Sequence, residues 1–436
     1  MLLIQNKKIL DLIRYEYTVE RIHRVIEFLE NRNTFNFCSL STGLFPAAPT
    51  REENQYTGYR HVWIRDNIYV SYAHYVVGNS DVSIKNLGSL MNYFKIHRHR
   101  FEKIIDTPNI ASDVMERPHV RFDGKNLQEI DEKWSHAQND ALGYFLWFYC
   151  KLLNEGLLSP ESANIEILTL FPLYFSAISY WQDRDSGHWE EERKVEASSI
   201  GVVNAGLAAL RQTLIELPNI SSYFTYKGKL ITLDFLNELI QNGTKALYEI
   251  LPYECREPGF KVRRYDSSLL FLIYPLKVID GAMADQILQD VISHLQGDYG
   301  VKRYIRDSFW AADYTKKLPP QQRTVDVSDD MSYRNSLIQE GQEAQWCIFD
   351  PIISAIFGVK FKETGQDKFL KQQTFYLNRS LGQLTGEECE VGEFKCPELY
   401  YIEDNKYIPN DVTPLLWTQA NLMVALKKME ESLLST

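Results

Sequence analysis

The chain has 436 residues, 13% of them aromatic, and a net charge of −11, enough for one large domain or two to three ordinary ones. The acidic balance and the lack of a clustered Lys/Arg stripe argue against nucleic acid and against an anionic membrane surface as partners. No run of 18 apolar residues occurs, and Lys7, Lys8 and Asp11 interrupt the first thirteen residues, so neither a membrane span nor a signal peptide is expected.

Apolar positions at helical spacing predict a first helix over 3–31. Further helices are predicted over 66–77, 80–100, 135–155, 160–182, 195–215, 233–252, 265–279, 281–296, 338–358, 365–383 and 412–434. Strand-like alternation is scarce, with 223–230 the main candidate. The count is about twelve helices, or roughly 36 residues per helix and loop. No Ser/Gly-rich or Pro-rich linker divides them. The expectation is one all-α domain over 1–436, with long functional loops at one end. The six cysteines (38, 150, 255, 347, 389 and 396) lack CxxC or zinc-ribbon spacing and read as reduced thiols of a cytoplasmic protein.

The unusual residues fall in the loops. His61-Val62-Trp63-Ile64-Arg65-Asp66-Asn67 sets a guanidinium beside a carboxylate at a helix start, a pair able to read sugar hydroxyls. Trp134-Ser135-His136-Ala137-Gln138-Asn139-Asp140 packs an indole, an imidazole, two amides and a carboxylate into seven residues. Arg303 to Trp310 and Gln342 to Trp346 form a third cluster, and Glu398, between Pro397 and a run of aromatics, belongs to a fourth. Each cluster taken alone also reads as a capped helix start or an ordinary polar loop.

In Trp189-Glu190-Glu191-Glu192, three adjacent acids follow an indole. Mutual repulsion and lost hydration favour the protonated form of at least one, as a general acid requires. The alternative is a solvated charge run at a helix start. No Walker loop, GxGxxG, HExxH or GxSxG is present, so no metal and no cofactor is expected. Carboxylate chemistry is what the inventory leaves, and glycosidic hydrolysis by two acids is its best-known form.

These motifs resemble glycoside hydrolase family 15, the glucoamylases, and especially the glucoamylase-like domains of the phosphorylase kinase alpha and beta subunits. The likeness rests on HVWIRDN (61–67), VRFDG (120–124), WSHAQNDALG (134–143), SGHWEEE (186–192), EASSIG (196–201), YDSSLL (265–270), KRYIRDSFW (302–310), GQEAQWCIFD (341–350), CPELYY (396–401) and PLLWTQANL (414–422). It implies an (α/α)6 barrel and an inverting, exo-acting hydrolase that releases glucose from α-glucans or α-gluco-oligosaccharides; the alternative is a silent glucan-binding regulatory module. Carried over by position, Glu190 matches the general acid, and Glu398 stands at the place of the base in a Pro-Glu-Leu context, with Glu388 and Glu390 as alternatives. Glu191 matches a substrate-binding acid, Arg65 and Asp66 the pair that holds the terminal glucose, Trp134 an aromatic wall and Arg303 a brace. Trp63, Gln138, Asp140, Trp189 and Trp346 complete the expected sugar-binding set. Glu192 is expected to be solvated.

Overall fold

The computed structural model describes residues 2–49, 51–258, 262–339 and 341–435. In chain order its helices are α1 (Val19–Asn31), α2 (Ile64–Val76), α3 (Ser80–Ile96), α4 (His99–Asp106), α5 (Asn139–Asn154), α6 (Ser162–Ala177), α7 (Ala197–Glu216) and α8 (Leu233–Ile250). Then come α9 (Leu270–Ile273), α10 (Gly281–His294), α11 (Tyr314–Lys317), α12 (Ser332–Asn335), α13 (Phe349–Thr364), α14 (Asp367–Gly382) and α15 (Leu416–Leu433).

Six of these form a closed inner ring: α2 packs on α5, α5 on α7, α7 on α9, α9 on α13, α13 on α15, and α15 returns to α2. An outer helix backs each one: α3 on α2, α6 on α5, α8 on α7, α10 on α9, α14 on α13 and α1 on α15. The fold is an (α/α)6 barrel. Helix α5 buries every residue from Asn139 to Cys150, and α2 every residue from Ile64 to Ala73, so neither has a wet face. Helix α1 buries only Ile22, Val25 and Leu29, the single stripe of a surface helix. Small residues let the inner helices touch: a Cβ on Gly206 would stand 2.8 Å from the Gly143 carbonyl oxygen, where α7 crosses α5.

Alternation of outer and inner helices gives the barrel a functional end. Connections from an inner to an outer helix are mostly short, such as 77–79 and 365–366. Connections from an outer to an inner helix are long, such as 107–138 and 295–348, and they gather at the N-terminal ends of the inner helices. Two small antiparallel sheets organise these loops. In the first, β1 (Val62–Trp63) pairs with β2 (Arg121–Asp123), which pairs with β3 (Gln128–Glu129). The remaining strands are the hairpin β4 (Thr225–Tyr226) and β5 (Lys229–Leu230), and β6 (Gln345–Trp346), β7 (Leu399–Glu403) and β8 (Lys406–Pro409) of the second loop sheet. There Gln345 faces Tyr400 and Trp346 faces Leu399.

Several expectations change. The helix expected over 265–279 is a 3-10 turn, Ser267–Leu269, followed by the four-residue α9. Pro275 has no N–H and keeps Tyr274 extended, which ends the helix there. The helix expected over 338–358 starts only at Phe349, because Gln345 and Trp346 are committed to a strand; residue 340 lies outside the described residues. The long first helix reduces to a 3-10 turn at Lys7–Ile9 and α1, which Thr18 caps through its side chain. All six cysteines are free. No helix among the described residues is long and apolar enough to cross a membrane.

Candidate active site

Residues 185–194 form a closed loop rather than a helix start. Asp185 and Lys194 exchange backbone hydrogen bonds of 3.1 and 3.0 Å, and the Asp185 carboxylate accepts from the Asn139 N–H at 2.8 Å. Helix α7 begins only at Ala197. Gly187 and Glu190 both sit in the left-handed region, at φ 53° and 57°. A side chain at Gly187 is excluded twice over, since a Cβ would lie 1.4 Å from the Glu196 carboxylate. The Trp189 indole N–H donates to Asp266 at 3.0 Å and anchors the loop. This backbone separates adjacent carboxylates: Glu190 lines a cleft, while Glu191 is fully buried. The charge run is therefore not a solvated surface, and Glu192 itself is half-buried.

Glu190 accepts from Arg65 at 3.3 Å, and its side chain keeps 18% exposure. Burial raises its pKa above the usual carboxylate value, against the pull of Arg65 and Arg121. Arg65 is fixed from behind, donating to Asp140 at 2.8 Å and to Gln138 at 3.1 Å. Asp66, next in the chain, is pushed up to about 7 by burial, with the Glu190 charge adding to it and Arg65 opposing.

Glu191 is the centre of a buried ionic knot. It accepts from Arg334 at 2.9 Å, Arg263 at 3.0 Å, Arg303 at 3.2 Å and the Tyr304 hydroxyl at 2.5 Å. Burial would raise its pKa, but the three guanidiniums win and hold it well below the usual carboxylate range. Arg303 is also clamped by Asp307 at 2.6 Å and lies 5.1 Å from the Trp189 ring and 4.9 Å from the Trp346 ring. The knot presents Arg303 and Arg334 to the cleft in one fixed arrangement.

Glu398 comes in at the start of β7. Its carbonyl accepts from the Cys347 N–H at 2.9 Å, which ties it to the second loop sheet. Its carboxylate accepts from the Tyr59 hydroxyl at 2.8 Å and from the Asn410 amide. Burial raises it to about 7; the two hydrogen bonds favour the ionised form and oppose that rise. Glu388 and Glu390 are exposed and do not line the cleft.

The cleft has a volume of about 770 Å³, its open mouth included. Of the residues expected from the sequence, Trp63, Arg65, Asp66, Trp134, Trp189, Glu190, Arg303, Trp346 and Glu398 line it together. Gln138, Asp140 and Glu191 do not; they hold the residues that do. Sequence reasoning missed Tyr59, Phe309, Arg334 and the strand that aligns Arg121, whose guanidinium stacks 3.9 Å from the Trp134 ring. Trp417, within the PLLWTQANL motif, is part of the wall, its ring 4.7 Å from that of Tyr69. Their signals were faint: Tyr59 follows a turn glycine, and Arg334 sits in the four-residue α12, 143 residues from its partner Glu191. The indole N–H groups of Trp134, Trp346 and Trp417 are buried and have no protein hydrogen-bond partner. Among the described residues no His/Cys/Asp/Glu group is arranged to hold a metal.

The family model described as Glycosyl hydrolases family 15 matches residues 33–419. The chain belongs to this family. Among curated proteins this family 15 chain is similar to the probable phosphorylase b kinase regulatory subunit alpha of Drosophila melanogaster, with 25% identity over 326 residues. That match covers 68% of this chain and 24% of the relative, so the chain spans about a quarter of the relative's length. A glycosidase variant solved in complex with glucose has a TM-score of 0.61 at 17% identity, covering 94% of this chain and 97% of that one. The glucoamylase from Saccharomycopsis fibuligera has a TM-score of 0.60 at 12% identity, covering 96% and 97%. At these identities the likeness to solved structures concerns the barrel alone.

Proposed function

We propose that the chain is one catalytic domain, an inverting, exo-acting glycoside hydrolase that releases glucose from α-gluco-oligosaccharides or α-glucans. The observation that carries this reading is the meeting of Glu190 and Glu398 in one aromatic-walled cleft, each with its own hydrogen-bonding support. Glu190, held toward its protonated form by burial, gives its proton to the glycosidic oxygen as the bond to C1 breaks. Glu398 takes a proton from the water that attacks C1 from the opposite face of the ring. Tyr59 and Asn410 donate to Glu398 and favour its ionised form, which is the form a base needs. Arg65 and Asp66 read hydroxyls of the terminal glucose, and the indoles offer faces for stacking. Unpaired cysteines suit a cytoplasmic setting.

A second reading has its own support, since the relatives described above are named as kinase regulatory subunits. In it the cleft binds glucan and cleaves nothing. Incubation with maltotriose through maltoheptaose, isomaltose and trehalose, followed by glucose assay, separates the two. Under the hydrolase reading glucose appears, and Glu190→Gln lowers turnover by at least about 10²–10⁴-fold while sugar binding persists. Calorimetric binding with no glucose release supports the regulatory reading, and near-normal turnover by Glu190→Gln removes Glu190 as the acid.

A further inference from the structure

One part of the cleft wall comes from no inner helix and no sheet. Thr324, Val325, Asp326 and Val327 lie in the connection between α11 and α12, yet they line the same cleft as Glu190 and Glu398. The segment is tied at both ends, and the ties differ in strength. At its start Arg323 donates to Asp411 at 3.0 Å, to the Thr315 carbonyl at 3.0 Å and to the Leu318 carbonyl at 3.1 Å. Arg323 also stacks 5.5 Å from the Tyr56 ring, and the Tyr56 hydroxyl bonds the same Asp411. With the Arg323 side chain 13% exposed, this end is firmly held.

At the other end the tie is Lys133, the residue beside Trp134. Its ammonium pairs with Asp326 at 3.7 Å and with Asp329. Lys133 is 51% and Asp329 62% exposed, so water and salt screen this contact. Val325, which lines the cleft, is itself 46% exposed.

We propose that residues 324–330 form a strap, hinged at Arg323 and latched at Lys133, that selects short α-gluco-oligosaccharides over long glucan chains. This rests on the reading of the cleft as an α-glucoside site. On this proposal a disaccharide is bound without displacing the latched strap. A chain of several glucosyl units extending out of the cleft must displace it, and the latch is the weaker of its two attachments.

The test is the ratio of kcat/KM on maltoheptaose to that on maltose, in wild type, Lys133→Glu, and Lys133→Glu with Asp329→Lys. Reversing the latch charge raises the ratio about two- to fivefold with the maltose value unchanged. The double variant, which restores an opposite-charge pair at position 329 but leaves like charges at Asp326, brings the ratio part of the way back, and added salt raises it in wild type. A ratio that stays at the wild-type value in Lys133→Glu, at matching melting temperature, overturns the strap. So does a double variant whose ratio is no lower than that of Lys133→Glu. Calorimetric binding of the same two sugars to Glu190→Gln, with and without Lys133→Glu, separates this from failure of the hydrolase reading. If nothing is cleaved but the binding ratio shifts with Lys133→Glu, the strap stands and the hydrolase reading falls. If neither sugar binds nor is cleaved, both fall.

Discussion

Replacing Glu191 by Gln keeps the shape of the buried knot and removes its charge. The three arginines are not equally exposed to that loss. Arg263 keeps Asp266 at 3.2 Å and Arg303 keeps Asp307 at 2.6 Å, whereas Arg334 is left with the Ser308 hydroxyl at 3.1 Å. Breaking a buried ion pair from one side costs about 3–5 kcal/mol, and with only Arg334 stripped of its carboxylate the lower end, about 3 kcal/mol, applies. Unfolding entropy of about 2.1 cal/mol/K per residue, scaled to 436 residues, gives about 0.9 kcal/mol per degree. The expected fall in melting temperature is therefore about 3 °C in calorimetry at neutral pH, if the barrel unfolds as one unit. The pH dependence gives a second handle. Glu191 has a depressed pKa in the folded state, so its stabilisation is fully present above the unfolded value of about 4.3 and fades as pH falls below it. The gap between wild type and variant should shrink when the melts are repeated at about pH 3. A neutral-pH shift under about 1 °C, or a gap that widens on acidification, refutes the ionic knot as the support of this end of the barrel.

Further predictions concern the two carboxyls and their loops. The plot of kcat/KM against pH should be bell-shaped, because activity needs Glu398 ionised and Glu190 protonated at once, rising as the first loses its proton and falling as the second does; rate measurements on maltotriose that stay flat with pH contradict the assignment. Tyr59→Phe removes a hydrogen bond that favours ionised Glu398, so the acidic limb should move up by as much as about one pH unit, whereas a downward move would contradict that bond's role. Gly187→Ala should lower kcat/KM by about 10²-fold through displacement of Glu190, because its Cβ meets the Glu196 carboxylate. Gly156→Ala has the same sign of φ and no atom within 4 Å, so it should cost only about 1–2 kcal/mol of stability and leave the rate unchanged.

Helical periodicity over most of the chain, and the gathering of Trp, Arg, Asp and Glu in the connections, are local properties. They made an all-α domain with functional loops at one end legible from the residues alone, and the family resemblance supplied the barrel. Glu190 and Glu398 could be named because each stands in a motif that resembles the family's. The split between Glu190 and Glu191 could not be read that way. It depends on a left-handed backbone at Glu190 and on arginines that arrive from residues 263, 303 and 334. Gln138 and Asp140 carry the chemistry of sugar ligands, yet the fold sets them behind Arg65, where they fix a guanidinium instead of facing the cleft. Whether a polar side chain faces the cleft or braces one that does depends on which distant segment packs against it. Apolarity along a helix does not by itself choose the inner ring: outer α6 buries every residue from 167 to 175, much as inner α5 does from 139 to 150. The pairing of Glu398 with Tyr59, 339 residues away, and the strap over the cleft exist only once the six helix pairs have closed into a ring.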